Sequence, residues 1–290
     1  MKPDWLKQKF VSTEESKRVR KLLRKFQLHT VCEEAACPNR NHCYSLGRAT
    51  FLILGDVCTR NCRFCAIKKG NPLPPDPDEP ANIARAVELL GIRYAVITSV
   101  TRDDLPDYGA EQFIETVQEI RKLPQAVSIE LLTPDFMGNK DILKSLFAED
   151  FDVFNHNVET VPRLYKTVRP QADYRRSLDV LSFAARNFPN IITKSGIMVG
   201  LGETKKEVKK TILDLATSGV KILTIGQYLR PSERHLPVAE YIHPELFEEY
   251  REFGESAGIT YVYSAPLVRS SFSAEEVFLE TKQTYSRKEH

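Results

Sequence analysis

All six cysteines of this 290-residue chain lie in two short segments among its first 65 residues. The first segment has the spacing CxxxxCxxxxxC and the second has CxxxCxxC. Thiolates grouped so closely on a loop can converge on one inorganic cluster, and three thiolates leave one iron without a cysteine. That iron can bind a substrate or cofactor. The spacing therefore predicts two iron–sulfur clusters, one at Cys32, Cys37 and Cys43 and one at Cys58, Cys62 and Cys65.

Disulfides and zinc are the other common uses of grouped cysteines. Six cysteines permit fifteen disulfide pairings, but a chain of this length needs no covalent cross-links, and it shows no secretory signal. Zinc requires four ligands, usually supplied as paired CxxC units. His42 could complete the first triplet, and no comparable residue completes the second. The spacing favours iron–sulfur clusters over both alternatives.

The second triplet, with Phe64 before its last cysteine, resembles the signature of the radical S-adenosylmethionine (radical SAM) enzymes. The first triplet resembles that of one branch, the lipoyl synthase family. A third segment, residues 269–272, is similar to that family's Arg-Ser-Ser-Tyr motif, with Phe272 where tyrosine is usual. The likeness covers residues 32–273 and includes the stretches 96–106, 155–165, 194–203 and 224–229.

The resemblance implies a role for the second serine of that motif. Ser271 would ligate the fourth iron of the cluster held by the first triplet. An alkoxide is a hard ligand that cluster iron holds more weakly than thiolate, which suits a cluster that gives up sulfur. By residue type alone, Ser271, which is followed by Ala274 and Glu275, could instead be a helix N-cap.

The resemblance also implies the activity, a sulfurtransferase reaction of the lipoyl synthase type. Two sulfur atoms would enter at C6 and C8 of an octanoyl group on a lipoyl-domain lysine. The implied cofactors are S-adenosylmethionine (SAM) and two 4Fe–4S clusters, with the auxiliary cluster as sulfur donor. The implied partners are octanoylated lipoyl-domain or glycine-cleavage carrier proteins, an electron donor such as ferredoxin or flavodoxin, and an iron–sulfur carrier protein for cluster repair.

Two other functions fit part of the pattern. Another sulfur-inserting radical enzyme could act on a small molecule or RNA, but the chain has no added basic RNA-binding domain. A two-cluster ferredoxin-like electron carrier would be short and would supply four thiolates per cluster. The two sets of three cysteines favour the enzyme.

Composition limits the partners and the location. The net charge is +2, from 41 basic and 39 acidic residues, which predicts no nucleic-acid partner. No apolar run reaches the length of a membrane span and no signal peptide is visible, so we expect no membrane association. Oxygen-sensitive clusters and unpaired cysteines require a reducing compartment, which predicts a cytoplasmic location.

Strand and helix patterns alternate after the second triplet. Apolar, β-branched runs lie at residues 51–54, 94–100, 127–132, 151–155, 191–199 and 222–225. Strands that alternate with helices imply parallel βαβ units. The sequence thus predicts an α/β fold, an open, partial β/α barrel of about six βα units, as the resemblance also implies. We expect a barrel over residues 49–258, an N-terminal extension 1–48 with the first triplet, and a C-terminal extension 259–290 with the Arg-Ser-Ser motif.

Function in such barrels gathers at the C-terminal ends of the strands. A glycine-rich turn at residues 196–203 resembles the family's adenosine-binding strand. Arg169 and Lys194 could pair with the methionyl carboxylate, although surface cations are an equally good reading of each. The candidate SAM-binding residues are Thr98, Ser99, Asn155, Asn157, Arg169, Lys194, Gly200, Glu203 and Gln227.

The N-terminal extension contains a basic amphipathic helix at residues 12–27. The pattern Ser12-x-x-Glu15 predicts a capping box, and Val19 and Leu23 belong to one apolar stripe. The helix either packs on the barrel as a solvated element or serves as a docking surface for an acidic carrier protein. Acidic residues, including Asp4, argue against a mitochondrial transit peptide.

Overall fold

The chain divides into two units in the computed structural model, which describes residues 2–7 and 13–288. The first unit comprises Gln8–Asn61 and Cys65–Phe154, and the second comprises Met1–Lys7, Cys62–Phe64 and Asn155–His290. Of the second cysteine triplet, Cys58 and Cys65 belong to the first unit and Cys62 belongs to the second. The predicted boundaries at residues 48 and 258 do not coincide with this division. The assignment of a barrel with two functional extensions stays a prediction.

The strands and helices alternate through most of the chain. The strands are β1 (His29–Thr30), β2 (Thr50–Ile53), β3 (Val57–Cys58), β4 (Lys68–Lys69), β5 (Tyr94–Ser99), β6 (Ser128–Leu132), β7 (Val153–Asn155), β8 (Ile192–Val199), β9 (Ile222–Gln227) and β10 (Tyr261–Ser264). The helices are α1 (Glu14–Lys25), α2 (Val31–Glu34), α3 (Arg40–Ser45), α4 (Glu79–Leu90), α5 (Ala110–Arg121), α6 (Lys140–Phe147), α7 (Tyr165–Val168), α8 (Tyr174–Asn187), α9 (Lys205–Thr217), α10 (Pro244–Ser256) and α11 (Ala274–Lys288).

Four strands of the first unit pair in the order β1-β2-β5-β6. β1 is antiparallel to β2, and the other pairs are parallel, with Thr50 opposite Val96 and Tyr94 opposite Ser128. β2 is buried along its whole length, as expected for a parallel strand covered on both faces. β3 and β4 form a separate parallel pair on either side of the second triplet.

Three strands of the second unit, β8, β9 and β10, form a parallel set in which Lys194 and Tyr261 both lie opposite Ile222. β9 is buried throughout. All six predicted strands are present. β10 was not predicted, because its four residues, Tyr-Val-Tyr-Ser, give too short an apolar run to separate from a turn.

Helix α1 begins later than its sequence pattern predicts. The predicted cap, Ser12, lies outside the described residues, and Thr13 occupies the N-cap position. The Thr13 hydroxyl accepts from the Ser16 N–H at 3.1 Å, and the Ser16 hydroxyl accepts from the Thr13 N–H at 3.0 Å. Serine thus replaces the expected glutamate in the capping box, and Val19 and Leu23 are buried as predicted.

None of the helices in the described part of the chain is both long enough and apolar enough to cross a lipid bilayer.

Candidate functional site

Thr30 organises the segment that carries the first cysteine triplet. Its hydroxyl caps α2 and lies 2.8 Å from the hydroxyl of Tyr44 on α3. Between these helices the Cys37 N–H donates to the Cys32 carbonyl at 3.1 Å, which closes the connecting turn. Two short helices and one turn therefore present the three thiols of Cys32, Cys37 and Cys43 within the first unit.

Cys37 and Cys43 lie close enough to Cys32 to raise the pKa of its thiol. Its pKa is raised to about 12, first by burial and then by Cys37 and Cys43, while a hydrogen bond from Thr50 opposes the increase. A buried thiol with so high a pKa is protonated at neutral pH. A metal cluster must displace that proton, because the thiolate is the ligand. Loading of this site should therefore release protons and weaken as pH falls.

The two outer cysteines of the second triplet lie in the first unit. The Cys58 sulfur accepts a hydrogen bond from the Thr101 N–H at 3.3 Å, just beyond the C-terminal end of β5. The ammonium of Lys69 donates to the Cys65 carbonyl at 2.6 Å. Hydrogen bonds to cluster sulfur tune its potential, so Thr101 is placed to influence a group held by Cys58.

The middle cysteine, Cys62, lies in the second unit. The next residue, Arg63, donates its N–H to the Val168 carbonyl at 2.9 Å and accepts from the Leu236 N–H at 3.3 Å. The segment is thus held by two separate loops of that unit. Convergence of Cys62 with Cys58 and Cys65 on one cluster stays a prediction.

A buried ion network fixes the loop between Cys58 and Cys62. Arg60 is 4% exposed and forms a bidentate pair with Asp103, at 2.7 and 2.9 Å, and a third bond to Asp135 at 2.7 Å. Arginine's planar fork matches carboxylates in this way. Sequence reasoning missed this network, although an arginine between cluster cysteines and an acidic pair after β5 was the available signal.

Arg60→Lys should therefore disturb the second triplet while keeping its charge. Lysine cannot reproduce the fork, and the buried Asp135 would lose a charge-assisted bond, at a cost of roughly 1.5–3 kcal/mol. We expect reduced iron per chain and at least about tenfold slower SAM cleavage. Iron analysis and urea unfolding measure the two effects. The control is Arg85→Lys on α4, where the arginine pairs with Glu88 at the surface. Equal behaviour of the two variants would contradict this role.

A hydrogen-bonded chain joins two predicted SAM-binding residues to the Arg-Ser-Ser motif. The Asn155 side-chain amide donates to the Ser270 hydroxyl at 2.8 Å, and that hydroxyl donates to the Asn157 carbonyl oxygen at 3.0 Å. Asn155 is buried at the C-terminal end of β7. The structure thus brings Asn155, Asn157 and Ser270 together, all within the second unit.

Three charged side chains lie in the same unit. Lys194 on β8 is 1% exposed. Arg169 donates to the carbonyls of Asn157 and Val158 at 2.9 and 3.2 Å, so it is a structural part of that loop and not a free surface cation. Burial raises the pKa of Glu159, and Arg169 opposes that increase. Lys194 is therefore not a surface residue, and Arg169 is half-buried with its guanidinium bonded to the backbone.

The glycine-rich turn is tightly closed. Gly200 has φ +97°, and a Cβ there would overlap the Gln227 amide and the Glu240 carbonyl, so only glycine fits. The Glu203 carboxylate accepts from the N–H groups of Gly200 and Leu201, at 2.5 and 2.9 Å. Glu203 therefore caps the turn.

Gln227, one of the candidate SAM-binding residues, uses its amide within the protein. Its nitrogen donates to the carbonyls of Val199 and Glu240, at 3.2 and 2.9 Å, and its oxygen accepts from the Ile242 N–H at 2.8 Å. In this structure Gln227 positions the chain after β9. A direct bond to SAM would require these bonds to open.

Thr98 and Ser99 differ in what their hydroxyls contact. The Thr98 hydroxyl donates to the Leu132 carbonyl at 2.8 Å, between β5 and β6. The Ser99 hydroxyl is buried and has no hydrogen-bond partner among the described residues. A buried hydroxyl without a partner costs free energy unless a ligand satisfies it. Ser99 is thus the better ligand contact of the two.

The residues that immediately precede the Arg-Ser-Ser motif lie directly against β9. The Gln227 N–H donates to the Pro266 carbonyl at 3.1 Å. A Cβ on Gly226 would overlap the Val268 carbonyl, so glycine allows the two backbones to approach. Helix α11 begins at Ala274, which makes Ser273 and not Ser271 its immediate neighbour. Ser271 is therefore not the cap of that helix.

The donor set fits iron–sulfur clusters. All six cysteines are free thiols, and soft thiolates are the ligands that such clusters prefer. The three thiols of the first triplet are close enough to perturb one another. Within the first unit, the unsatisfied Ser99 hydroxyl at the end of β5 fits a polar ligand.

Comparison with known proteins gives a family and full-length relatives. Residues 52–215 match the model of the radical SAM superfamily. Lipoyl synthase from Caldicellulosiruptor saccharolyticus is 54% identical over 275 residues, which cover 95% of this chain and 96% of that protein. Lipoyl synthase from Methylococcus capsulatus is 51% identical and covers 95% of this chain and 86% of its own length.

Solved structures with a similar backbone are much more distant in sequence. HydG, a maturase of the [FeFe]-hydrogenase, has a TM-score of 0.57 at 16% identity, over 93% of this chain and 67% of its own. Coproporphyrinogen III oxidase (HemN) from Escherichia coli has a TM-score of 0.53 at 16% identity, over 71% and 52%. These likenesses concern the fold alone, and they agree with the predicted α/β class.

Proposed function

The chain belongs to the lipoyl synthase family of radical SAM enzymes, and from that premise we propose which of its residues perform the reaction. It is a sulfurtransferase that inserts two sulfur atoms into a protein-bound octanoyl group. The observation that carries the assignment is identity of 54% over 95% of the chain. Both cysteine triplets lie within the part of the chain that resembles the family.

Cys58, Cys62 and Cys65 would hold the 4Fe–4S cluster that works with SAM. When bound, this pair supplies a 5′-deoxyadenosyl radical, which can take a hydrogen atom from an unactivated C–H bond that no side-chain acid or base can attack. The Thr101 N–H on the Cys58 sulfur would tune the cluster. Arg60 would hold the loop between the first two ligands through its bonds to Asp103 and Asp135.

Cys32, Cys37, Cys43 and Ser271 would hold a second, auxiliary 4Fe–4S cluster that donates the sulfur. Cys32 is buried, whereas Cys37 and Cys43 are half-buried. The weakly held serine ligand would allow the cluster to come apart as sulfur leaves. Ser270 would position Ser271, because its hydroxyl is bonded on both sides to the asparagines that follow β7.

SAM would bind at the C-terminal ends of the strands. Ser99, with its unsatisfied hydroxyl, and Asn155 and Asn157 would contact its polar groups. Lys194 would pair with the carboxylate, because a charge-assisted bond suits that group. Thr98, Arg169, Gly200, Glu203 and Gln227 would shape the site through the bonds that they make within the protein.

The substrate is a carrier protein of the lipoyl-domain class, as family membership implies. A glycine-cleavage carrier would be handled in the same way. A ferredoxin or flavodoxin would supply electrons, and an iron–sulfur carrier protein would rebuild the auxiliary cluster. A cytoplasmic location would suit the six free thiols.

The test is to follow sulfur into the product. The auxiliary cluster is reconstituted with sulfide enriched in a heavy isotope, and an octanoylated lipoyl domain is weighed by mass spectrometry after reaction. We expect two added sulfurs, both heavy, and at most about one product per chain without a sulfide source, because the cluster is consumed. Light sulfur in the product, or many turnovers, would mean that the first triplet has another task.

A further inference from the structure

Helix α1 carries an excess of positive charge that the fold does not neutralise. It contains six basic and two acidic residues. Both acidic residues are already used, Glu14 by Lys17 at 2.7 Å and Glu15 by Arg18 at 3.3 Å. Lys21 and Arg24 are exposed and form no ion pair with any described residue, and Lys25 contacts only the Phe26 ring. These three form the basic face of α1.

Helix α9 pairs three of its four basic residues. On α9, Lys205 and Lys209 pair with Glu249, and Lys210 pairs with Asp214. Basic residues in a last helical turn complement the helix dipole, which accounts for Arg24 and Lys25. Lys21 lies one turn earlier, outside that effect. The helix dipole alone therefore does not explain the basic face.

The basic face is next to the auxiliary-cluster segment. Arg20 of α1 donates to the Asn41 side chain at 2.9 Å and lies over the Tyr44 ring on α3, the helix that carries Cys43. The end of α3 leaves Leu46 54% exposed, beside the point where the following glycine packs against α1. An exposed apolar side chain within a polar surface is a common composition for a protein interface.

We propose that the basic face of α1 binds an acidic surface of the carrier domain that presents the octanoyl-lysine. The inference rests on the proposed function, in which the substrate is attached to a whole protein. Complementary charge would orient that domain so that the acyl chain enters near the auxiliary cluster. Opposite charges across an interface rim raise the association rate and set orientation.

The experiment measures binding separately from chemistry. Holoenzyme is titrated with a fluorescent octanoylated lipoyl domain, and Kd is determined at low and high salt. The variant is Lys21→Glu, Arg24→Glu and Lys25→Glu together. The control, Lys166→Glu, Arg175→Glu and Lys206→Glu, makes the same change in net charge at exposed residues that form no ion pair with described residues. A second variant, Lys21→Glu alone, is a milder change that tests the same surface if the triple variant does not fold.

The triple variant should bind the carrier domain at least about tenfold more weakly than the control at low salt, and the difference should shrink at high salt. Product from a short octanoyl-lysine peptide should stay at the control level, because the peptide has no acidic surface. Lys21→Glu alone should weaken binding by about two- to fivefold.

Equal Kd values for the variant and the control would contradict the proposed docking surface. Loss of the peptide reaction in step with carrier binding would also contradict it. So would binding of an RNA oligonucleotide through these residues without binding of the carrier domain. Failure of the proposed function would look different. Wild-type enzyme would then add no sulfur to either substrate, whatever its Kd for the carrier domain.

Discussion

Replacing Cys58, Cys62 and Cys65 together with alanine is expected to abolish SAM cleavage and leave one four-iron cluster per chain. The reason is that the remaining triplet, held within the first unit by Thr30 and Tyr44, does not depend on these cysteines for its position. Release of 5′-deoxyadenosine after reduction with dithionite measures cleavage, and iron analysis counts the clusters.

The complementary variant replaces Cys32, Cys37 and Cys43. It should keep measurable SAM cleavage and form no sulfur-containing product, because the source of sulfur is missing while the Cys58 loop and its ion network are intact. Mass spectrometry of the carrier domain detects the product. If either triple variant still makes the lipoyl group, the proposed division between the two triplets is wrong.

Ser271→Ala should leave 5′-deoxyadenosine formation detectable and lower the yield of lipoyl product by at least about 10- to 100-fold, the loss typical when a residue that supports a metal ligand is changed. Removing the hydroxyl would leave one iron of the auxiliary cluster without its protein ligand. Product yield, cluster absorbance and deoxyadenosine are measured on the same samples. A wild-type yield would count decisively against Ser271 as a ligand.

Ser270→Ala provides the comparison within the motif. The Ser270 hydroxyl bonds Asn155 and Asn157, so its loss should raise the KM for SAM as well as reduce product, by a smaller factor than Ser271→Ala. An effect on KM separates positioning from cluster ligation. Ser256→Ala, at an exposed end of α10, is the neutral control.

Features that depend on residues close together in the chain could be predicted from the sequence. The two triplets and the six predicted strands depend on residues that lie within a few positions of one another, and such patterns are readable from a single chain. The start of α1 was misplaced, since Thr13 and Ser12 are both good caps and only tertiary context decides between neighbouring candidates.

Long-range polar contacts were not readable in the same way. Ser270 meets Asn155 across 115 residues, and Arg60 meets Asp135 across 75. Gln227 illustrates the same limit: an amide at a strand end predicts a ligand contact, yet here its bonds are taken by backbone groups. Residue type establishes what a side chain can bond, while the fold decides which partner reaches it.

The close approach at Gly226 limits how the C-terminal segment could be transplanted. Because backbone groups hold residues 265–268 along β9, the position of Ser271 depends on main-chain spacing more than on the side chains of that stretch. Inserting one residue between Ser264 and Arg269 would shift the serine relative to β9, because the turn at residues 265–268 has a fixed length. A graft onto another β/α scaffold would therefore need a glycine on the receiving strand and an unchanged residue count up to the serine.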